Sequence, residues 1–381
     1  MRVLLIIKGL AVTGGGAERV FTQLAGGLHA RGHEVQVATF DAPGAPSYYP
    51  LPEAIPRFGL DISPIGKPTR RSALPRGMWA LRRHVLRARP DVVVAFMHST
   101  YVPVALALMG SGVPVVASEH IDAAHFSARP VQRRAVQFAL RFCTLKTVPT
   151  AAIKAEQPAG MAAMTHVMEN PVDLATFTPQ APEAAGPVIL SAGRLMAQKD
   201  FPTLIEAFSR IAPDFPDWSL RIVGEGPLRT ELEGMIATSP YADRISLPGM
   251  ARNMVREYAG AGIFVLPSRY ESFGLVTAEA LACGRPVIGF GDCLGTAMLI
   301  EDGKNGLLIE PDNDRAAALA EGLRRLMRDD ALRARKAQAG PASVARFSPD
   351  HILAGWETML AELISAKTGP QGRLKREGIV S

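Results

Sequence analysis

Residues 263–284 constrain the fold of this chain more than any other stretch. They open with Ile263–Leu266, an unbroken apolar run of the kind that forms a strand buried on both faces of a parallel sheet. Pro267 and Ser268 end the run, and a glycine-containing loop leads into a helical segment. A buried strand, a turn and a helix in this order are typical of an α/β fold.

Further strands are predicted along the chain, at residues 3–7, 34–40, 91–96, 113–117, 188–191, 220–224, 245–249 and 287–290. The first two enclose a glycine-rich turn and a helix with spaced apolar positions, which together make a βαβ unit. A chain of 381 residues that is 48% hydrophobic can bury a large core, and we expect two domains. The Pro- and Ala-rich residues 179–187 are typical of a linker.

The helix after the central strand offers a site for an anion. Ser272 is a predicted N-cap, which leaves the backbone N–H groups of Phe273, Gly274 and Leu275 without helical partners. Those groups and the helix dipole attract negative charge, and Gly274 lets an anion approach the backbone closely.

Two carboxylates flank this site, Glu271 in the loop and Glu279 in the helix. A carboxylate repels a diphosphate, so we expect both to accept hydrogen bonds from hydroxyl groups on either side of it. Glu271 would then face a sugar and Glu279 a ribose. The alternative is a loop glutamate in water and a helical glutamate on a solvated face, which is the commoner situation for isolated glutamates.

The segment PSRYESFGLVTAEALACGRPVI resembles the E-x7-E signature of the family 4 retaining glycosyltransferases, which have the GT-B fold. The spacing from Glu271 to Glu279 matches, and so do the flanking Pro267-Ser268, Phe273-Gly274 and Cys283-Gly284-Arg285-Pro286. The resemblance covers nearly the whole chain. It implies two Rossmann-like parallel-sheet domains that face a central cleft. It also implies sugar transfer from a nucleotide-sugar donor to an acceptor with retention of configuration, without a metal ion or other cofactor.

The resemblance also implies domain boundaries. Residues 1–170 would form the N-terminal acceptor-binding domain, completed by a C-terminal helix over residues 349–366. Residues 171–348 would form the domain that binds the nucleotide-sugar, and residues 367–381 a flexible tail.

Arg194 and Lys199 follow the first strand of the second domain. They supply the positive charge that a diphosphate needs, Arg as a forked donor and Lys as a point charge. In the family that the chain resembles, residues at these positions contact the donor phosphates. No DxD-type metal motif accompanies them. The alternative is an ordinary surface Arg and Lys.

The resemblance assigns further residues to the donor. Gly15 and Gly16 belong to the N-terminal loop that lies against the diphosphate, and Gly249 and Met250 place backbone near the nucleobase. His120, at a strand end, matches a histidine that touches the donor sugar and can donate to a hydroxyl that gains charge in the transition state. The alternatives are a tight strand–helix turn and a structural histidine. A nicotinamide site is disfavoured because the glycines lack the GxGxxG spacing.

Met298 departs from the family pattern, because many members carry a glutamate there. The departure is compatible with an unusual donor sugar or with weak activity. Two other functions stay open, and the Met298 departure allows the second of them. One is a GT-B-fold nucleotide-sugar epimerase, and the other is a catalytically silent binding partner in a polysaccharide assembly complex.

The charge distribution indicates an anionic partner, since the net charge is +6 and the pI is about 9.4. From Lys67 to Arg89 there are eight basic residues, no acid and several interleaved apolar residues, and a second basic group runs from Arg129 to Arg141. Such stretches suit an anionic membrane surface or a lipid-diphosphate acceptor, although a solvated helix face is equally compatible. No nucleic-acid recognition motif accompanies the charge, so we expect no nucleic-acid partner.

The chain has three cysteines, an odd number that cannot all pair in disulfides, and their spacing does not match a metal site. We therefore expect free thiols in a reducing compartment. Residues 92–118 carry no formal charge, which is compatible with a membrane span. Pro and Gly residues divide this segment into a strand, a helix and a second strand, so we expect no membrane span. A cytoplasmic location, at the inner face of the membrane if lipid-linked glycans are the acceptors, is the expectation.

Overall fold

The structure, a computed structural model, describes residues 1–11, 15–63, 71–121, 123–126, 129–181 and 185–368. Residues 67–70 of the first basic stretch and 369–381 of the predicted tail lie outside these ranges. The chain divides into two compact units. Unit 1 holds Met1–Pro171 and the segment that starts at Pro349, and unit 2 holds Val172–Ser348.

Unit 1 is built on a seven-stranded parallel sheet in the order β3-β2-β1-β4-β5-β6-β7. The strands are β1 Arg2–Ile7, β2 Glu34–Thr39, β3 Arg57–Gly59, β4 Val92–Phe96, β5 Val115–Ser118, β6 Leu145–Val148 and β7 Thr165–Val167. The central strands are buried on both faces because helices cover the sheet, which explains why nearly all of their residues are apolar.

Unit 2 is built on a six-stranded parallel sheet in the order β10-β9-β8-β11-β12-β13. The strands are β8 Val188–Ala192, β9 Ser219–Val223, β10 Ile245–Gly249, β11 Ile263–Leu266, β12 Val287–Phe290 and β13 Gly306–Ile309. The predicted central strand, β11, lies inside this sheet between β8 and β12, and all four of its residues are fully buried.

The helices connect the strands in the manner of a doubly wound fold. Those of unit 1 are α1 Gly16–Ala30, α2 Leu74–Ala88, α3 His98–Ala107, α4 Pro130–Leu140, α5 Ala151–Ala155 and α6 Ala159–Ala162. Those of unit 2 are α7 Phe201–Ile211, α8 Arg229–Ala237, α9 Met254–Gly260, α10 Leu275–Ala282, α11 Leu294–Ala297, α12 Arg315–Arg328 and α13 Asp330–Val344. The last helix, α14 Pro349–Thr368, packs against α1 of unit 1, where Glu357 pairs with Arg31 at 2.6 Å.

The predicted fold class is therefore confirmed: both units are Rossmann-like α/β domains with parallel sheets. No described helix is both long and apolar enough to cross a membrane. Cys143, Cys283 and Cys293 are free thiols, as predicted.

Two local features differ from what the sequence indicates. The sequence Glu301-Asp302-Gly303-Lys304-Asn305-Gly306 predicts a hairpin-like turn, but β12 and β13 run parallel and are joined through α11. The side chain of Asn305 holds this turn by accepting from the Glu301 amide at 2.9 Å and donating to the Leu299 carbonyl at 3.0 Å. Helix α13 was not predicted, because its sequence carries Pro341 and buries only Lys336, Gly340 and Val344, which gives no apolar periodicity.

Candidate functional site

Glu271 and Lys199 meet at the carboxyl end of the unit 2 sheet. Glu271 lies in the loop after β11, and Lys199 ends a short 3-10 turn in the loop after the neighbouring strand β8. The Glu271 Oε1 atom accepts from Lys199 Nζ at 2.5 Å and from Ser268 Oγ at 2.7 Å. Both side chains of the ion pair are at least 86% buried, so their charges interact in a poorly solvated environment.

Further contacts fasten these two loops to each other. The Arg269 amide donates to the Gln198 carbonyl at 2.9 Å, and the Gln198 side-chain amide donates to the Tyr270 carbonyl at 2.8 Å. The Arg269 guanidinium lies 3.2 Å from the buried carboxylate of Asp200. The backbone on both sides of the Lys199–Glu271 pair is therefore fixed, which favours a preorganised site.

Helix α10 starts two residues later than the sequence predicted. Gly274, not Ser272, is the N-cap, and it adopts a left-handed conformation with φ of 83° that favours glycine. The first helical bonds run from Thr277 and Ala278 to the Gly274 carbonyl, so the amides of Leu275 and Val276 precede them. The helix start for which the sequence predicts an anion site therefore lies two residues further along the chain, and the anion site stays a prediction.

The side chains around the start of α10 are buried. Phe273 is 1% exposed, and its ring packs edge-on against Phe347 at 5.2 Å. The hydroxyl oxygen of Thr277 has no hydrogen-bond partner among the described residues. A buried hydroxyl without a partner is uncommon in folded proteins, and this one lies in the first turn of α10.

Glu279 lies one turn into α10 and is 2% exposed. Its Oε2 atom accepts a hydrogen bond of 2.9 Å from the Tyr258 hydroxyl. Glu271 is also buried, at 8% exposure. The alternative of two solvated glutamates is therefore wrong.

Arg194, Gly249 and Met250 lie elsewhere at the same edge of the sheet. Arg194 is exposed in the loop after β8, whose backbone is held by a bond of 2.9 Å from the Leu195 amide to the Glu225 carbonyl. Gly249 ends β10 with a φ of 86°, and Met250 is 47% exposed. In the part of the chain that the structure describes, no hydrogen bond or ion pair joins these three residues to Glu271.

The remaining predicted residues belong to unit 1. Gly15 is the N-cap of α1 and Gly16 its first residue. His120 follows β5, stacks on Phe96 with ring centroids 4.9 Å apart, and has Nε2 3.0 Å from Ser118 Oγ. Burial lowers the pKa of His120 to about 4, against the opposing effects of the Glu119 charge and a hydrogen bond with Asn170. The imidazole is thus neutral near pH 7 and still able to donate a hydrogen bond.

Glu119 beside it is a buried carboxylate that stays charged. Burial raises the pKa of Glu119, but interactions with His98 and a bond of 2.7 Å from the Tyr101 hydroxyl outweigh it, so the pKa lies below its usual value. Among the described residues, no group of His, Cys, Asp or Glu side chains is arranged to hold a metal ion.

Comparison with known protein families identifies the chain. A family model described as glycosyl transferases group 1 matches residues 176–342, and one described as glycosyltransferase family 4 matches residues 14–176. Together they cover most of the chain, one on each unit. The chain belongs to glycosyltransferase family 4. The resemblance inferred from the E-x7-E segment is confirmed.

Curated relatives match this family 4 chain over part of their length. An exopolysaccharide phosphotransferase of Streptomyces coelicolor is 34% identical over 52% of the chain and 21% of that protein. An N-acetylgalactosamine-N,N'-diacetylbacillosaminyl-diphospho-undecaprenol 4-alpha-N-acetylgalactosaminyltransferase of Campylobacter jejuni is 32% identical over 44% of the chain and 45% of that protein. The chain thus spans less than half the length of either relative.

Solved structures match the family 4 chain throughout. Sucrose-phosphate synthase from Thermosynechococcus elongatus has a TM-score of 0.84 at 21% identity, covering 96% of this chain and 100% of that one. Anabaena HepE in complex with UDP-glucose has a TM-score of 0.77 at 22% identity, again covering 96% and 100%. At these identities the likeness shows the fold, which is GT-B.

Sequence reasoning missed three residues that contact the candidate site. Ser268 and Tyr258 hold the two glutamates, and Gly295 touches the loop that carries one of them. Ser268 was visible in the signature, but Tyr258 and Gly295 carry no local signal. Met298, the departure from the family pattern, ends α11 half-buried against the apolar core of unit 2.

Gly295→Ala is expected to lower kcat/KM about 100-fold, because small displacements at a reacting centre have effects of this size. The Gly295 amide donates to the Glu271 carbonyl at 3.1 Å. An added Cβ would lie 2.5 Å from that carbonyl oxygen and from the Phe273 amide, so the loop must shift. Steady-state kinetics measures the loss. Gly234→Ala, where a Cβ meets nothing within 4 Å, is the control, and equal activity of the two variants would contradict the prediction.

His120 is expected to make stability depend on pH. The unfolded chain takes up a proton on this residue near pH 6.5 and the folded chain only near pH 4, so acidification between these values favours unfolding. The contribution to the free energy of unfolding is about 3 kcal/mol at full size, present above pH 6.5 and lost toward pH 4. Denaturant titrations measure the free energy of unfolding at pH 7.5 and at pH 5. The difference between these two free energies should be smaller for His120→Gln than for the unaltered protein. His166→Gln, at an exposed histidine, should leave that difference unchanged.

Proposed function

We propose that this chain is a retaining glycosyltransferase that moves a sugar from a nucleoside-diphosphate sugar to an acceptor. The observation that carries the proposal is the buried Lys199–Glu271 pair at the carboxyl edge of the same sheet as the start of α10. A cation and helix amides suit a diphosphate, and a fixed carboxylate suits the sugar hydroxyls beside it. Glu279 would hold the ribose and the backbone at Gly249 and Met250 the nucleobase.

The chemistry follows from where charge develops. As the bond from the anomeric carbon to the phosphate oxygen breaks, the leaving diphosphate gains charge that Lys199, Arg194 and the α10 amides stabilise. The acceptor hydroxyl attacks from the face that the diphosphate leaves, and the leaving phosphate takes the hydroxyl proton, so configuration is retained. Since the protein supplies the positive charge, no metal ion enters the proposal.

The relatives supply the substrate classes to test first. The Anabaena structure contains UDP-glucose, which favours a UDP-sugar. The Campylobacter relative is named for a diphospho-undecaprenol substrate, which favours a lipid-linked acceptor on the way to a polysaccharide.

A lipid-linked acceptor requires access to a membrane, and unit 1 carries a suitable surface. Helices α2, α3 and α4 lie side by side, contain no acidic residue and expose five arginines. Those arginines are Arg76, Arg83, Arg87, Arg133 and Arg134. Large apolar side chains are exposed among them: Trp79, Leu86, Leu106, Met109, Val131 and Phe138. Arginine with exposed tryptophan and leucine favours an anionic membrane surface, and we place the enzyme at the inner face of the cytoplasmic membrane.

Reversing three arginines of this surface, Arg83→Glu, Arg87→Glu and Arg134→Glu, is expected to weaken binding to anionic vesicles at least 100-fold. Each basic residue near such a membrane contributes about 1 kcal/mol. Co-sedimentation with phosphatidylglycerol vesicles measures this. The control reverses the exposed Arg256, Arg325 and Arg335 of unit 2, which changes the net charge equally. Equal loss in both variants would refute a specific surface.

One assay tests the function as a whole. The protein is incubated with labelled UDP-, GDP- and ADP-sugars, with and without a lipid-diphosphate acceptor, and the product's anomeric configuration is read by NMR. We expect transfer with retention that depends on the acceptor. Conversion of the donor without an acceptor would identify an epimerase, and binding without any conversion would identify a silent partner.

A further inference from the structure

Tyr258 lies on α9 and is fully buried. Its ring packs edge-on against Phe177 at 5.9 Å and against Phe264 at 5.7 Å, between centroids. These contacts fix the ring, and with it the position of the hydroxyl. A buried tyrosine hydroxyl normally has a hydrogen-bond partner.

The partner here is Glu279. The single hydroxyl hydrogen of Tyr258 lies within reach of Glu279 Oε2 at 2.9 Å and of the Val276 carbonyl at 3.1 Å. The carboxylate is the stronger acceptor, since a bond to a charged group is about twice as strong as one to a neutral group. The bond therefore sets the direction of a carboxylate that is itself 2% exposed.

Helix α9 also connects this bond to the loop at Gly249 and Met250. The helix begins at Met254, a few residues after β10 ends at Gly249, and Asn253 caps it by accepting from the Arg256 amide at 3.1 Å. Tyr258 thus joins the segment assigned to the nucleobase to the carboxylate assigned to the ribose.

We propose that Tyr258 is a positioning residue that aims the Glu279 carboxylate at the ribose hydroxyls of the donor nucleotide. The inference rests on the proposed function, which assigns Glu279 to the ribose. Without the phenol hydroxyl, the carboxylate loses a contact that fixes its direction, and the preference of the site for a ribose falls.

The test compares Tyr258→Phe, which keeps the ring, with the unaltered protein. Calorimetry measures the Kd of UDP and of 2′,3′-dideoxy-UDP, or of the matching pair for whichever base the donor assay selects. We expect Tyr258→Phe to weaken UDP binding about tenfold while the dideoxy nucleotide binds as before. With the sugar donor, KM should rise more than kcat falls. Equal weakening of both nucleotides would show a purely structural role and overturn the proposal.

Two further variants separate the possible failures. Tyr101→Phe removes another buried hydroxyl that donates to a carboxylate, in unit 1, and should leave the preference for the ribose unchanged. Glu279→Gln should abolish the preference. If Glu279→Gln abolishes it and Tyr258→Phe keeps it, the role of Tyr258 is refuted and the donor site stands. If Glu279→Gln keeps the preference, the ribose assignment fails and the inference with it.

Discussion

Glu271→Ala is expected to lower kcat/KM for sugar transfer at least about 1,000-fold, which amounts to about 4 kcal/mol of transition-state stabilisation. Removing the carboxylate removes two interactions at once. The sugar hydroxyl loses its hydrogen-bond acceptor, and Lys199 Nζ, which lies 2.5 Å from Glu271 Oε1 in the unaltered protein, loses its partner. Transfer of a radiolabelled sugar at saturating acceptor measures the effect.

The controls for this variant separate chemistry from folding. Glu231→Ala removes an exposed glutamate of α8 in the same unit and should keep full activity. Glu271→Gln keeps the size of the side chain and can still accept from Ser268, so it should retain more activity than the alanine variant. Full activity in Glu271→Ala, with unchanged circular dichroism, would end the assignment of this residue.

The fold could be predicted from the sequence because its strands are stable in only one environment, the interior of a covered sheet. A run such as Ile263–Leu266, apolar at every position, has no polar face to present to water, so it must lie inside a sheet covered on both sides. Its predicted limits match the structure. Helix α13 was missed for the opposite reason, since a buried lysine, a glycine and a proline replace the usual apolar stripe. The buried Lys336 ammonium finds a hydrogen-bond acceptor in the Gly306 carbonyl at 2.9 Å, and no local sequence pattern reveals this contact.

The candidate site likewise combines features that the local sequence predicts with contacts that it does not reveal. Lys199 and Glu271 were each singled out by residue type and spacing, but their pairing depends on β8 and β11 being neighbours in the sheet. The start of α10 was misplaced because Ser272 is a good N-cap by type, whereas the backbone turns at Gly274, where a positive φ is tolerated. Tyr258 reaches Glu279 across 21 positions of sequence, and Gly295 reaches the Glu271 loop by close packing. Such contacts depend on tertiary structure.

Lys199→Ala is expected to reduce transfer by a factor similar to that of Glu271→Ala. Lys199 is the cation that the sheet edge holds beside Glu271, and its loss removes both the charge that stabilises the leaving diphosphate and the partner of a buried carboxylate. The variant should also lower the melting temperature, because the carboxylate is then left uncompensated. Lys199→Met keeps the apolar stem without the charge, and Lys199→Arg keeps the charge, so the rates of these two variants separate packing from electrostatics.

The pair also predicts a strong departure from additivity. If Lys199 and Glu271 act as one unit, the double alanine variant should be only slightly less active than either single variant, whereas independent roles would multiply the two losses. The melting temperature of the double variant should exceed that of Lys199→Ala, since removing both charges leaves neither buried alone. Losses that multiply, together with a melting temperature below that of both single variants, would mean that the ion pair in this structure is a packing contact and that the diphosphate is bound elsewhere on the sheet edge.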